Sequence, residues 1–132
     1  MHTTQPAAFD PILYAHLMQQ YRGASLHDLA HQWLLLETLH VVSQTRFIPH
    51  GHVHVLMLRL AWRTRDWIEV GGQMLRLLLV PLGHLTGRLP LGNSGRSNIN
   101  PFQPMPLRSD LSEVMAQARR AVARSAVARP PA

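Results

Sequence analysis

Five side chains in the middle of the 132-residue chain have the types and spacing of metal ligands. Glu37-x-x-His40 places a carboxylate and an imidazole one helical turn apart, and His50-x-x-x-His54 does the same for two imidazoles. Glu69 is a further carboxylate about one segment later. Imidazole and carboxylate together suit zinc, iron or copper. The expected cofactor is therefore one transition metal ion held by Glu37, His40, His50, His54 and Glu69. Carboxylate-bridged di-iron bundles use two Glu-x-x-His motifs and two more glutamates. One such motif is present, so a mononuclear site is expected.

For these residues to meet, helices must carry them. Asp10-Pro11 reads as a cap followed by a first-turn proline, opening a helix that stops at Gly23. A second opens with Ser25 as cap and continues to about Arg46. A third starts near Pro49 and runs to about Arg65. Asp66, with Glu69 three residues on, resembles a capping box for a fourth, which should end or kink at Pro81 and be over by Gly83. Short turns make neighbours antiparallel. On helical wheels at ~100° per residue, Glu37, His40 and Gln44 share a face of the second helix, and His50 and His54 a face of the third. Glu69, Gln73 and Arg76 share a face of the fourth. Antiparallel packing brings Glu37, His40, His54, Gln73 and Arg76 to one level, with His50 and Glu69 about a turn away. Trp33, Leu36, Val41, Leu58, Ala61 and Leu77 are the expected core, and Gln44, Gln73 and Arg76 the supporting polar groups.

Burying such groups without partners costs several kcal/mol, so something must satisfy them. Besides a metal, Arg76 could pair with Glu37, with the histidines and glutamines bonded around them as a structural network. His52 points to water, and His2, His16, His27, His31 and His84 read as surface or incidental positions. Met57, Met74 and Met105 read as filler rather than copper ligands.

Beyond Gly83 the texture changes. The stretch 83–106 is rich in Gly, Pro, Asn and Ser, and reads as an arm. Its apolar residues, Leu89, Leu91, Ile99, Phe102 and Met105, imply that it lies against the helices. Within it Arg88, Gly92, Asn93, Gly95 and Arg96 could form a concave backbone nest for an anion, although a plain turn is the simpler reading. A fifth helix, capped by Ser109, carries one thin apolar stripe. The expected division is a helical domain with its arm, 1–107, and an Arg-rich amphipathic helix and tail, 108–132. The class is all-α: an antiparallel bundle or helical-hairpin array of about four helices, plus arm and C-terminal helix.

Composition narrows the function. No cysteine is present, which removes disulfides, thiolate metal sites and a cysteine nucleophile. All 13 basic residues are arginine, for a net charge of +6. The Arg-rich tail has no interleaved aromatics, so nucleic-acid binding is not expected. The first ten residues lack the basic start and apolar run of a signal peptide, and the longest apolar stretch, Leu77–Leu82, is far short of a membrane span. A cytoplasmic location is the expectation.

From Trp33 to Asp110 the chain resembles a small bacterial family, domain of unknown function 3703. The likeness rests on Leu36-Glu37-Thr-Leu-His40 with Gln44, His50-x-x-x-His54-x-x-Met57-Leu58, and Asp66-x-x-Glu69-x-x-Gly72-Gln73-x-x-Arg76. It continues through Pro81-Leu-Gly83, Thr86-Gly-Arg88, Pro90-x-Gly92-Asn93-x-Gly95-Arg96 and Pro104-Met105-Pro106. The resemblance leaves the first and last helices outside and implies no activity. It does imply that the polar core set and the glycine loop form one combined site.

The function expected is binding of a transition metal for sensing, storage or delivery, ahead of catalysis. Whether the protein is an enzyme is left open; if it is, Glu69 or Glu37 would transfer the proton. Affinity should fall as pH drops through ~6.5, where free imidazoles protonate. The rival is a non-catalytic interaction module that docks its C-terminal helix on a protein partner around a structural polar network.

Overall fold

The computed structural model describes residues 7–130. Among them are five α-helices and no strand: α1 (Pro11–Gly23), α2 (Leu29–Ser43), α3 (Phe47–Arg63), α4 (Trp67–Thr86) and α5 (Ser109–Val127). The all-α class expected from sequence is observed. The helix count differs, because α5 joins the bundle and lies against α1 and α2. None of the helices is long and apolar enough to cross a membrane.

Local chemistry sets most helix ends. Asp10 accepts hydrogen bonds from the Ile12 and Leu13 amides, and Pro11 fills the first turn, where no donor is needed. The cap of α2 is Asp28, which accepts from His31 N, and not Ser25, whose hydroxyl closes the preceding turn on His27 N. Pro49 sits inside the first turn of α3, which begins two residues before it. Asp66 accepts from Glu69 N, but the Glu69 side chain does not reach back as a capping box requires. Ser109 is the first helical residue of α5; it follows Arg108, which makes no side-chain cap.

The largest departure is α4, which continues through Pro81 and Gly83 to Thr86. A proline inside a helix removes one amide donor and crowds the preceding turn, yet neighbouring packing can carry the helix past it. The residue that ends α4 is Gly87, in the left-handed region at φ 69°, with its amide on Gly83 O.

The apolar core lies among α1, α2, α3 and α5. Leu17, Leu36, Leu39, Val53, Met57 and Leu111 are fully buried. A fully buried aliphatic side chain contributes about 2 kcal/mol, so this cluster is the main stabilising term. Of the expected core, Trp33, Leu36 and Ala61 are buried, whereas Val41, Leu58 and Leu77 are half-buried. α1 packs on α2, α2 on α3 and α3 on α4, but no Cα of α4 comes within 8 Å of a Cα of α2. The arm between α4 and α5 fills that gap and bonds to side chains of both helices. This wedge positions the polar site.

Candidate metal centre

His40 from α2 and His50 and His54 from α3 converge in the core, each under 5% exposed. His40 Nε2 lies 3.1 Å from His54 Nε2 and 3.0 Å from His50 Nε2. One ligand atom from each of the three lies within 4.8 Å of the others. Nitrogens bound to one tetrahedral zinc at about 2.05 Å stand roughly 3.3 Å apart, so this spacing is close to a coordination shell.

The outer ring nitrogens show where the protons sit. His40 Nδ1 is 2.8 Å from the Asn93 carbonyl, which can only accept. His54 Nδ1 is 2.7 Å from Gln73 Oε1. That amide is oriented without ambiguity, because Gln73 Nε2 donates to Glu69 Oε1 at 2.7 Å and to Gly95 O at 2.9 Å. Both outer nitrogens therefore carry hydrogen, and in the neutral rings both Nε2 atoms present lone pairs to each other. His50 Nδ1 meets His84 Nε2 at 3.0 Å, where either nitrogen can donate. If His84 donates, His50 Nε2 carries a hydrogen for His40, and His54 Nε2 still faces no donor. If His50 donates to His84, three lone pairs converge. A buried acceptor left unsatisfied costs about 1–3 kcal/mol.

Extra protons do not resolve the conflict at neutral pH. Burial, followed by the neighbouring His54 and His50, holds the His40 pKa well below the usual imidazole value. Burial, then His54 and His84, lowers His50 to about 3. Burial dominates at His54 as well, and Arg76 adds to it against the Gln73 hydrogen bond, leaving it at about 4. Three neutral imidazoles with anchored outer nitrogens are the donor set that divalent transition metals select, and hydrogen-bonded outer nitrogens are the usual support for such ligands.

The glutamates stand apart from this cluster. Glu37 is bound by Arg96 at 3.2 Å and by Arg108 at 2.6 Å. Although it lies one turn from His40, it faces the arm and the start of α5. Glu69 accepts from Ser97 Oγ at 2.6 Å, from Ser97 N and from Gln73, with Arg96 Nε at 3.3 Å. Burial would raise its pKa, but the Ser97 and Gln73 hydrogen bonds and Arg96 outweigh that and hold the carboxyl below its ordinary value. Both carboxylates are thus occupied, and neither belongs to the metal-ligand group. Arg76 does not pair with Glu37. It donates to the Gly72 carbonyl at 3.1 Å and to the arm carbonyls of Arg96, at 2.6 Å, and Ile99.

The arm acts as a clip on these helices. Gln44 donates to Pro90 O and accepts from Gly92 N. Asn93 is pinned by its own side chain, which donates to Asn100 O and Gln103 O and accepts from Gly95 N. Arg96 lies over the Trp33 ring, 3.7 Å from its centroid. The Gly92, Gly95 and Ser97 amides are all taken by side chains. The loop therefore turns carbonyls toward the histidines rather than amides toward an anion. Gly95 lies against His40: at φ 85° it is in the left-handed region, and a Cβ there would meet the ring at 2.8–2.9 Å.

A cavity of about 420 Å³ opens beside the three histidines. Its walls are mainly apolar, with Leu79, Val80, Leu89 and Phe102, and Arg76 and Arg88 add positive charge. Among the described residues no carboxylate lines it. The proton-transfer role expected of Glu37 or Glu69 therefore has no geometry there. His84, read from sequence as incidental, touches His50. Its signal was the stripe Glu69, Gln73, Arg76, Val80, His84 continuing past Pro81, which the early helix stop concealed.

A family model described as "Protein of unknown function (DUF3703)" matches residues 11–115, and the chain belongs to that family. The match reaches beyond 33–110, taking in α1 and the beginning of α5. No curated protein and no solved structure matches the chain.

Proposed function

We propose that this member of the DUF3703 family binds one transition metal ion through the Nε2 atoms of His40, His50 and His54, leaving one coordination position turned to the cavity. The observation that carries this reading is the pairing of the outer nitrogens of His40 and His54 with acceptor oxygens. The Asn93 carbonyl and the Gln73 amide hold His40 and His54 with their Nε2 lone pairs facing each other at 3.1 Å, an arrangement that a cation between them relieves.

Zinc is the ion proposed. The ligands are three imidazoles, and no cysteine exists to draw a softer ion. A facial iron site would need a carboxylate, and Glu37 and Glu69 are held by arginines and Ser97. Three protein ligands plus an open position is the arrangement of zinc sites that take an exchangeable fourth ligand, whereas closed sites use four. The centre is accordingly read as one where a small molecule meets a Lewis acid, rather than as sealed storage. The chain's own contribution is orientation: Asn93, Gln73 and His84 fix the three rings, and Arg76 and the apolar walls shape the space beside them.

The test is metal analysis of untagged protein purified without chelator. One equivalent of zinc is expected, lost in His40→Ala and kept in His52→Ala, since His52 lies on the exposed face of α3. No metal in the wild type, and none taken up on zinc titration, would overturn the proposal.

A further inference from the structure

The second helix face of α4 is as apolar as a core, and it faces solvent. Trp67, Met74, Leu78, Leu82 and Leu85 are 53–85% exposed, and Gly71 lies in the same row. At ~100° per residue these positions fall within a sector of about 80°, extended along one edge by Leu75 and Ile68. The opposite face of α4 is committed to α3 and the arm through Glu69, Gln73 and Arg76. At roughly 200 Å² per large apolar side chain, the exposed row with its flanks amounts to about 900 Å². The largest apolar patch on a typical monomer is about 300–600 Å², and a stable protein interface needs about 800 Å² from each partner.

We propose that this face of α4 is a homodimer interface, in which two copies of the chain pack α4 against α4, antiparallel about a two-fold axis. Two observations select a second copy as the occupant. The first is charge. The chain carries +6, so two copies repel, and least where they meet on a face with no charge. The only Asp, Glu or Arg residues of α4 are Glu69 and Arg76, both buried on the other face. The second is self-complementarity. An axis near position 76 sets Trp67 opposite the partner subunit's Leu85, and Met74 opposite the partner subunit's Leu78. It also sets Gly71, where an added Cβ would find nothing within 4 Å, within one residue of the partner subunit's Leu82. Each pairing is reciprocal, as an isologous contact requires, and only Gly71 sets a small residue against a large one. An amphipathic helix lying on a lipid surface instead lines its polar edge with basic residues in contact with headgroups. The polar edge of α4 is buried beneath the arm.

Sedimentation velocity of the full chain at tens of micromolar tests this. The expected species has twice the 14.9 kDa chain mass, and Leu78→Glu converts it to a monomer with unchanged helical circular dichroism. Leu26→Glu, at an exposed position before α2, stays dimeric. The chain has no cysteine, so Leu78→Cys with Met74→Cys gives a second readout: a short bis-maleimide should link two chains in high yield. A monomeric wild type, a dimer that survives Leu78→Glu, or no cross-linking would each overturn the proposal. So would a monomer that co-sediments with anionic phospholipid vesicles, which would assign the face to a membrane surface.

Discussion

Gly95→Ala probes the contact between the arm and the histidines. The added Cβ would stand 2.8 Å from His40 Cδ2 and 2.9 Å from Cγ and Nε2, against ordinary contact beginning at 3.4 Å. The ring cannot easily retreat, because Asn93 O holds its Nδ1 at 2.8 Å and two imidazoles stand behind its Nε2. An alanine in the left-handed region costs about 1–2 kcal/mol, and overpacking a tight site about 1–3 kcal/mol. The expected loss is therefore about 2–5 kcal/mol in urea unfolding of the metal-free protein. Restoring normal contact moves the ring by about 0.5 Å, more than the ~0.2 Å a metal–ligand bond tolerates. Zinc affinity should then fall at least about tenfold, read by competition with a chromophoric chelator. Gly51→Ala is the control: its Cβ meets nothing within 4 Å inside α3, so stability should hold or rise by about 0.5–1 kcal/mol. A Gly95→Ala protein as stable as wild type, with the same zinc affinity, would refute the packing described for His40.

Four further outcomes follow from the structure. The folded pKa values of His40, His50 and His54 lie below the unfolded value, so the unfolded chain binds more protons as pH falls; metal-free stability should drop below pH ~6.5 by about 1.4 kcal/mol per unit for each histidine, continuing toward pH 4, as measured by urea titration at several pH values. Zinc binding by the folded protein should accordingly persist at pH 5.5, below the ~6.5 that free imidazoles would dictate, and loss of zinc at pH 6.5 from still-folded protein would contradict this. Arg96→Ala strips Glu37 and Glu69 of a shared cation and uncovers Trp33, and should cost about 3–5 kcal/mol in thermal or urea unfolding. Truncation after Leu107 removes buried Leu111 and Ala118 together with the Arg108–Glu37 pair; we expect a cooperative but weaker melt by calorimetry, lower by about 3 kcal/mol or more, and loss of cooperativity would place α5 inside the folding unit.

Helical periodicity made His40, His50 and His54 readable, because each lies on a face that its neighbours' apolar residues mark as buried. The same periodicity put Glu37 with them, since residues three apart share a face. It could not show that this face divides between α3 and the arm, where Arg96 and Arg108 take the carboxylate. His84 stayed hidden because Pro81 and Gly83 look like a stop, whereas the left-handed residue that ends α4 is Gly87. The arm was the least legible part. Much of its work is done by backbone carbonyls of Pro90, Asn93, Gly95 and Arg96, and a carbonyl leaves no trace in a residue's identity. Its Gly-Asn-Ser-Gly turn suggested an anion nest, whereas the Gly92, Asn93 and Gly95 amides are bonded within the protein. The exposure of α4's apolar row was equally invisible, since a leucine-rich helix face reads as core until the neighbours are in place.

The most direct measurement is nitrogen-15 NMR of the histidine rings during a zinc titration of metal-free protein at neutral pH. Before zinc, His40 and His54 should show protonated Nδ1 and bare Nε2. One equivalent of zinc should shift the Nε2 signals of His40, His50 and His54 together and leave His52 unmoved. If Nε2 of His40 or His54 carries the hydrogen, or if the three rings ignore stoichiometric zinc, the cluster is a structural hydrogen-bond network and the metal centre is wrong.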